Sequence, residues 1–287
     1  MLSLDLLVAG LISGLVIGLS ALAVTLVFGV ARFPNAATGD AMSLGAYAAL
    51  AVAAGTGSLV AGGVAAVLAG ILLNVILYLL VFRHLSDRSP IMSLLASIGA
   101  GFMIRSSLGL VYGQDPQAFR VPLARPLVLL DVRVQWLDLK LAGLTLATLA
   151  VVYLILAKTA AGRRMRAVSA DPALARVSGI DPTRVMLTLW ALAGGVSAVA
   201  GLVLGLKTVV TPDLGWNLLL PAFAAAVLGG IGSPLGAVAA GILLGIVQEL
   251  ATPFVGFTYK IAIAFAVLML VLLIRPRGLF GRAEGAR

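Results

Sequence analysis

Residues 167–185 read AVSADPALARVSGIDPTRV, a basic, proline-punctuated interval inside a chain that is otherwise strongly apolar. Asp171 followed by Pro172 is a helix N-cap and first-turn pair, and Gly179 supplies the left-handed position that ends a helix. The spacing predicts a helix of two turns over Pro172 to Ser178. Asp181 and Pro182 repeat the start signal, so a second helix opens at Pro182. Leu174 and Val177 lie three apart on one side of the short helix, with Ile180 just beyond, while Arg176 and the preceding Arg163, Arg164 and Arg166 carry charge. A two-turn helix is not stable alone in water. It packs on its own chain, sits in a groove of another protein, or lies as a connector against lipid headgroups.

The surroundings decide what the interval interrupts. Of 287 residues 61% are hydrophobic and 11% charged, with a mean hydropathy of +1.14, whereas soluble domains carry about 25% charge. The composition is that of an integral membrane protein. Glycine, at 33 residues, suits helices whose backbones approach closely in lipid. Cysteine is absent, which removes disulfides and thiolate metal sites. The single histidine, His84, reads as a polar residue of a short RHLSDR loop, and no metal site is expected. The net charge of +9 reflects cytoplasmic loops enriched in Lys and Arg, not nucleic acid.

Apolar segments fall near 4–30, 41–57, 58–82, 91–112, 139–157, 184–208, 217–250 and 255–274. The first carries one charge, Asp5, and lacks a basic leader region, so it reads as a retained span and not a signal peptide. Three basic intervals, 83–88, 158–184 and the tail with Arg275, Arg277, Arg282 and Arg287, are expected in the cytoplasm. Residues 113–138 balance Arg120, Arg125 and Arg133 against Asp115, Asp131 and Asp138 and are expected to form a small external structure. Helix parity then places the N-terminus outside, Arg32 inside and the C-terminus in the cytoplasm. The whole of 1–287 reads as a single transmembrane domain.

Two stretches break the helical pattern inside apolar sequence: RFPNAATGDAMSLGAY from Arg32 and VLGGIGSPLGAVAAG from Val227. Pro34 and Pro234 each remove a backbone donor, and Gly39, Gly229, Gly230 and Gly232 make continuous helix costly. Backbone freed within a membrane is buried in protein or lines a watery cavity. Paired broken segments point to a transport site, with Asn35, Thr38, Gly39, Gly229, Gly230, Gly232, Ser233 and Pro234 as candidates; tight turns between ordinary spans are the alternative. LGAYAA and LGAVAA follow the two breaks and hint at an internal repeat.

GRRMRAVSADPALARVSGIDPTRV (162–185), AAVLGGIGSPLGAVAAGILLG (225–245), RPRGLFG (275–281) and SPIMSLLASIGAGFMIRSSL from Ser89 together resemble the membrane subunit of branched-chain amino acid ABC importers, of the LivH type, over nearly the whole chain. The resemblance implies an all-α permease paired with a second related permease, two cytoplasmic ATPases and a soluble substrate-binding protein in a bacterial inner membrane. It implies that Asp171, Pro172, Leu174, Arg176, Val177 and Gly179 form the coupling helix an ATPase grips. In the family's first motif Phe and His stand where this chain has Ala36 and Thr38, and Lys often stands where it has Pro221, so the solute is open: branched-chain amino acids, urea, short amides or aromatic acids.

No G-x-x-x-x-G-K-[ST], H-E-x-x-H or thiol nucleophile occurs. The chain is therefore expected to bind no cofactor and catalyse nothing, with ATP used by its partners. Intramembrane charge defaults to function, which singles out Arg105 and Glu249. Structural readings remain open for both: a buried cation bonded to helix carbonyls, and an interfacial carboxylate. Lys207 and Lys260 are expected to snorkel, and Asn74 to bond between helices. An ion-coupled transporter acting alone needs a cluster of membrane carboxylates, for which Glu249, Asp5 and Asp213 are the candidates counted. A scaffold without transport leaves the paired breaks without a role.

Overall fold

A computed structural model describes residues 2–85, 88–120, 127–129, 132–275 and 278–280. The chain order is α1 (Leu2–Ala31), α2 (Ala37–Thr56), α3 (Leu59–Leu77) running through a π-turn (Tyr78–Phe82) into α4 (Arg83–Leu85), then α5 (Pro90–Tyr112), β1 (Leu127–Leu129), β2 (Val132–Val134) and α6 (Trp136–Lys158). It continues with α7 (Ala160–Ala170), α8 (Pro172–Val177), α9 (Pro182–Lys207), α10 (Leu214–Gly229), α11 (Pro234–Val255), a 3-10 turn (Phe257–Tyr259) and α12 (Lys260–Ile274). Among the described residues seven helices are long and apolar enough to cross a membrane. The protein is an all-α, multi-pass membrane protein. Every expected span has its helix, and the segment 217–250 is divided into α10 and α11 by the break at 230–233. Among the described residues two elements lie outside the expected pattern: helix α7 and the antiparallel β1–β2 hairpin, the latter within the interval expected to be external. Arg125, Asp131, Arg277, Arg282 and Arg287 lie outside the described residues.

The chain folds as two units. In the one formed by 26–120 and 147–217, α2, α3 and α9 pack on one another at close range. Small residues make that possible: a side chain at Gly45 or Gly70 would collide with the backbone of Ala198 or Gly194, and one at Gly201 with that of Met42. In lipid this backbone approach, and not burial of apolar area, holds helices together. Asn74 touches Gly194 across the α3–α9 contact, yet its amide donates to Gly70 O one turn back on its own helix, 3.0 Å away. The bond is intrahelical, contrary to the sequence expectation: the carbonyl one turn back is within reach of the amide on the same helix.

In the other unit (1–25, 121–146 and 218–287) Gly10, Gly14 and Gly18 recur every fourth residue along one stripe of α1. They meet Ile246, Ile242 and Val238 on α11, where Gly241 and Gly245 answer them backbone to backbone.

Candidate translocation and coupling sites

The first break follows α1. Arg32 closes that helix in the left-handed region, φ +59°, its N–H donating to Phe28 O at 3.0 Å. It occupies the position glycine usually takes and costs about 1–2 kcal/mol in backbone strain. Phe33 then inserts into a buried aromatic cluster, its ring 5.2 Å from that of Phe82, which stacks on Trp190 at 4.5 Å. Asn35 is fully buried: its Oδ1 accepts from Ala37 N at 3.1 Å, while Ala36 N donates to Ser97 Oγ at 3.0 Å. Thr38 and Gly39 start α2, and Gly39 O lies directly against Gly215. Asn35 Nδ2, Thr38 Oγ1 and Asp40 Oδ2 are buried without a hydrogen-bond partner among the described residues. Three such atoms within six residues are unusual, since most buried polar groups are paired.

Asp40 escaped the sequence reading. It is 1% exposed, and its Oδ1 receives both Nε and Nη2 of Arg105 at 3.0 Å. Arg105, 16% exposed, reaches Asp213 with Nη1 at 3.3 Å and has the rings of Trp216 and Phe102 4.7 and 5.4 Å from its guanidinium carbon. Its partners are thus carboxylates on α2 and in the α9–α10 turn, not helix carbonyls. Ser43 completes the staple, donating to Pro212 O and accepting from Gly215 N, both at 2.9 Å. The signal was present in GDAMSLGAY, where a carboxylate follows the break; reading 39–47 for backbone alone passed over the charge.

The second break is a tight turn. Gly230 and Gly232 have φ of +95° and +82°, Ser233 N donates to Gly230 O at 3.0 Å, and Ser233 Oγ caps α11 by accepting from Gly236 N at 3.2 Å. Gly229 and Gly236 touch through their backbones. Ile231 is exposed at the tip, whereas Leu279 N donates to Leu228 O at 2.7 Å. The RPRGLFG ending therefore docks on the second break through Gly278 to Phe280. Nothing in the spacing of two motifs so far apart announced this contact.

Glu249 and Lys260 form an ion pair at 2.6 Å, both largely buried. Ser13 Oγ donates to the same Glu249 oxygen at 3.1 Å, and the Lys260 ammonium lies 4.0 Å from the Phe257 ring centre. Lys260 does not snorkel; a buried carboxylate one loop away holds it.

The opening stretch folds as its residues direct. Asp171 Oδ1 accepts from Ala173 N and Leu174 N at 2.8 and 3.0 Å. At the other end Gly179 has φ +80°, with Ile180 N donating to Ala175 O at 2.9 Å. Asp181 Oδ1 accepts from Thr183 N at 2.9 Å and Pro182 opens α9. Only Ala175 of α8 is buried; Leu174 is 64% exposed and Val177 87%, so two apolar side chains stand free on a capped, two-turn helix. The helix α7 just before it was missed, hidden in what read as a charged loop; Met165 and Val168 bury its apolar face.

The chain is thus a multi-pass membrane protein with an exposed two-turn helix between two of its spans and a buried break beside a charge staple. It belongs to the family described as "Branched-chain amino acid transport system / permease component", matched over residues 6–273. It is 28% identical to the high-affinity branched-chain amino acid transport system permease protein BraD of Pseudomonas aeruginosa, over 97% of this chain and 95% of that one. It is also 28% identical to the corresponding LivH of Escherichia coli, over 96% and 94%. The solved structure titled "PsaBC from Streptococcus pneumoniae in complex with Fab" shares the fold, with a TM-score of 0.54 and 16% identity over 94% of this chain and 91% of that one. The protein is a transmembrane permease subunit of an ABC importer, in a family of transport components that work with ATPase and substrate-binding partners.

Proposed function

We propose that the chain imports branched-chain amino acids, pairing with a second related permease, two cytoplasmic ATPases and a soluble substrate-binding protein in a bacterial inner membrane. The chain binds no cofactor; ATP is consumed by the ATPases. Residues 158–184 and the C-terminus face the cytoplasm and 113–138 the outside. The observation that carries the coupling role is α8, whose Asp171 and Gly179 caps hold Leu174 and Val177 outward in the form a groove on another protein takes up. Arg176, exposed on the same helix, adds charge to that contact. The buried Asn35–Gly39 break lines the pathway; the Gly229–Pro234 turn, in the other unit, is the second candidate segment. A second reading, urea, short amides or aromatic acids as solute, draws on Ala36 and Thr38, which widen the first break and leave it without an ionisable group at 38. An ion-coupled carrier is poorly served, because Glu249 and Asp40 are already bound to Lys260 and Arg105.

Tagged chain purified in mild detergent, with partners identified by mass, tests the assembly. Proteoliposomes of the recovered complex, offered leucine, urea, acetamide and phenylacetate with ATP inside, test the solute. Recovery of ATPases with leucine uptake is expected; a chain that comes out alone and still transports refutes the reading.

A further inference from the structure

The end of α7 and the end of α1 cap each other. Ser169 Oγ donates to Gly29 O at 2.7 Å, and Arg32 Nη2 donates to Ser169 O at 2.9 Å. Both accepting carbonyls belong to the last turn of a helix, where no intrahelical donor is available. The guanidinium also lies at two helix C-termini, where positive charge is favoured. Two residues beyond Ser169 stands Asp171, the N-cap of α8; three residues beyond Arg32 stands Asn35, the buried start of the first break. The two hydrogen bonds thus join the helix exposed to a partner with the hinge of the segment that lines the pathway. Arg32 itself is held in a left-handed conformation that glycine would adopt freely. A non-glycine residue at such a position persists where its side chain has a task the backbone alone does not perform.

We infer that Arg32 and Ser169 are the positioning residues that transmit movement of α8 to the first break: α7 draws on Gly29 and Arg32, and the Phe33–Asn35 segment follows. This rests on α8 docking to an ATPase. It adds the link inside this chain, which docking alone does not require.

The chain has no cysteine, so an Ala36→Cys substitution in the break gives a single reactive thiol on this subunit. The complete complex, in lipid nanodiscs, is treated with N-ethylmaleimide with and without ATP–Mg, while hydrolysis is followed in the same samples. In Ala36→Cys the labelling rate is expected to change with ATP. Adding Arg32→Gly is expected to reduce that response roughly tenfold, the scale of a lost hydrogen bond to a charged group, while hydrolysis continues. Arg32→Lys, which keeps a cationic donor, restores the response, and Ser169→Ala weakens it. The melting temperature of Arg32→Gly stays level or rises, because glycine relieves the strain; a merely structural staple lowers it and leaves labelling untouched. An ATP response that survives in Arg32→Gly overturns the link alone. A parent complex that lacks an ATPase, or that hydrolyses ATP with labelling unchanged, overturns the docking of α8 and the link with it.

Discussion

Removing Arg105 is the perturbation for which the structure dictates an order of effects. Arg105→Met leaves Asp40, 1% exposed, with no counter-charge; its Oδ1 loses both donors and its Oδ2 has none to begin with. Breaking a buried pair in this way costs about 3–5 kcal/mol. Asp40→Asn is milder, because Arg105 keeps Asp213 and its aromatic neighbours, and the loss is that of a charged hydrogen bond, about 1.5–3 kcal/mol. Asp213→Asn removes a partner that is 55% exposed, worth about 0–1 kcal/mol. The double variant Asp40→Asn/Arg105→Met has no unpaired buried charge, since the Asp213 carboxylate it frees is 55% exposed, and is expected to be more stable than Arg105→Met alone. Thermal unfolding in mild detergent reads the series: Arg105→Met falls by roughly 10 °C, with Asp40→Asn between it and Asp213→Asn. A double variant less stable than Arg105→Met, or an Asp213→Asn equal to it, refutes the assignment of Asp40 as the principal partner.

Gly245→Leu forces a side chain into the Gly14 backbone and is expected to cost at least the 1–3 kcal/mol of an overpacked core, seen as a lower melting temperature and poor recovery of folded chain. Asp171→Ala removes two N-cap hydrogen bonds, about 1 kcal/mol; the melting temperature moves little, while ATPase co-purification falls as α8 frays. Glu249→Gln leaves Lys260 without its carboxylate among largely buried groups, and is expected to destabilise more than Glu249→Gln/Lys260→Met, a comparison the same unfolding assay makes.

The backbone breaks, the caps and the spans were legible because each depends on local chemistry: a proline lacks a donor, a glycine admits positive φ, an aspartate accepts from the amides two and three residues on. The α8 helix could be read to within a residue for that reason. Helix α7 was not legible, since its burial depends on Met165 and Val168 meeting a surface supplied elsewhere in the fold, and four arginines nearby made the interval look solvated. Lys260 and Asn74 were misjudged for a related reason. Position near a span end or mid-span suggests snorkelling or a bridging bond, but packing brought Glu249 to Lys260, and Asn74 found its acceptor in Gly70 one turn back on its own helix.

Asp40 shows why charge and backbone belong in one reading. A carboxylate beside a helix break is costly twice over, in desolvation and in freed backbone, and such a combination persists where other elements compensate for it. Arg105 supplies the countercharge from α5, Ser97 takes the amide of Ala36, and Ser43 holds the α9–α10 turn against α2. The polar atoms left over, Asn35 Nδ2, Thr38 Oγ1 and Asp40 Oδ2, gather around the break and nowhere else in comparable density among the described residues. The break is thus held in place from two sides, by α5 through Arg105 and Ser97 and by the α9–α10 turn through Ser43.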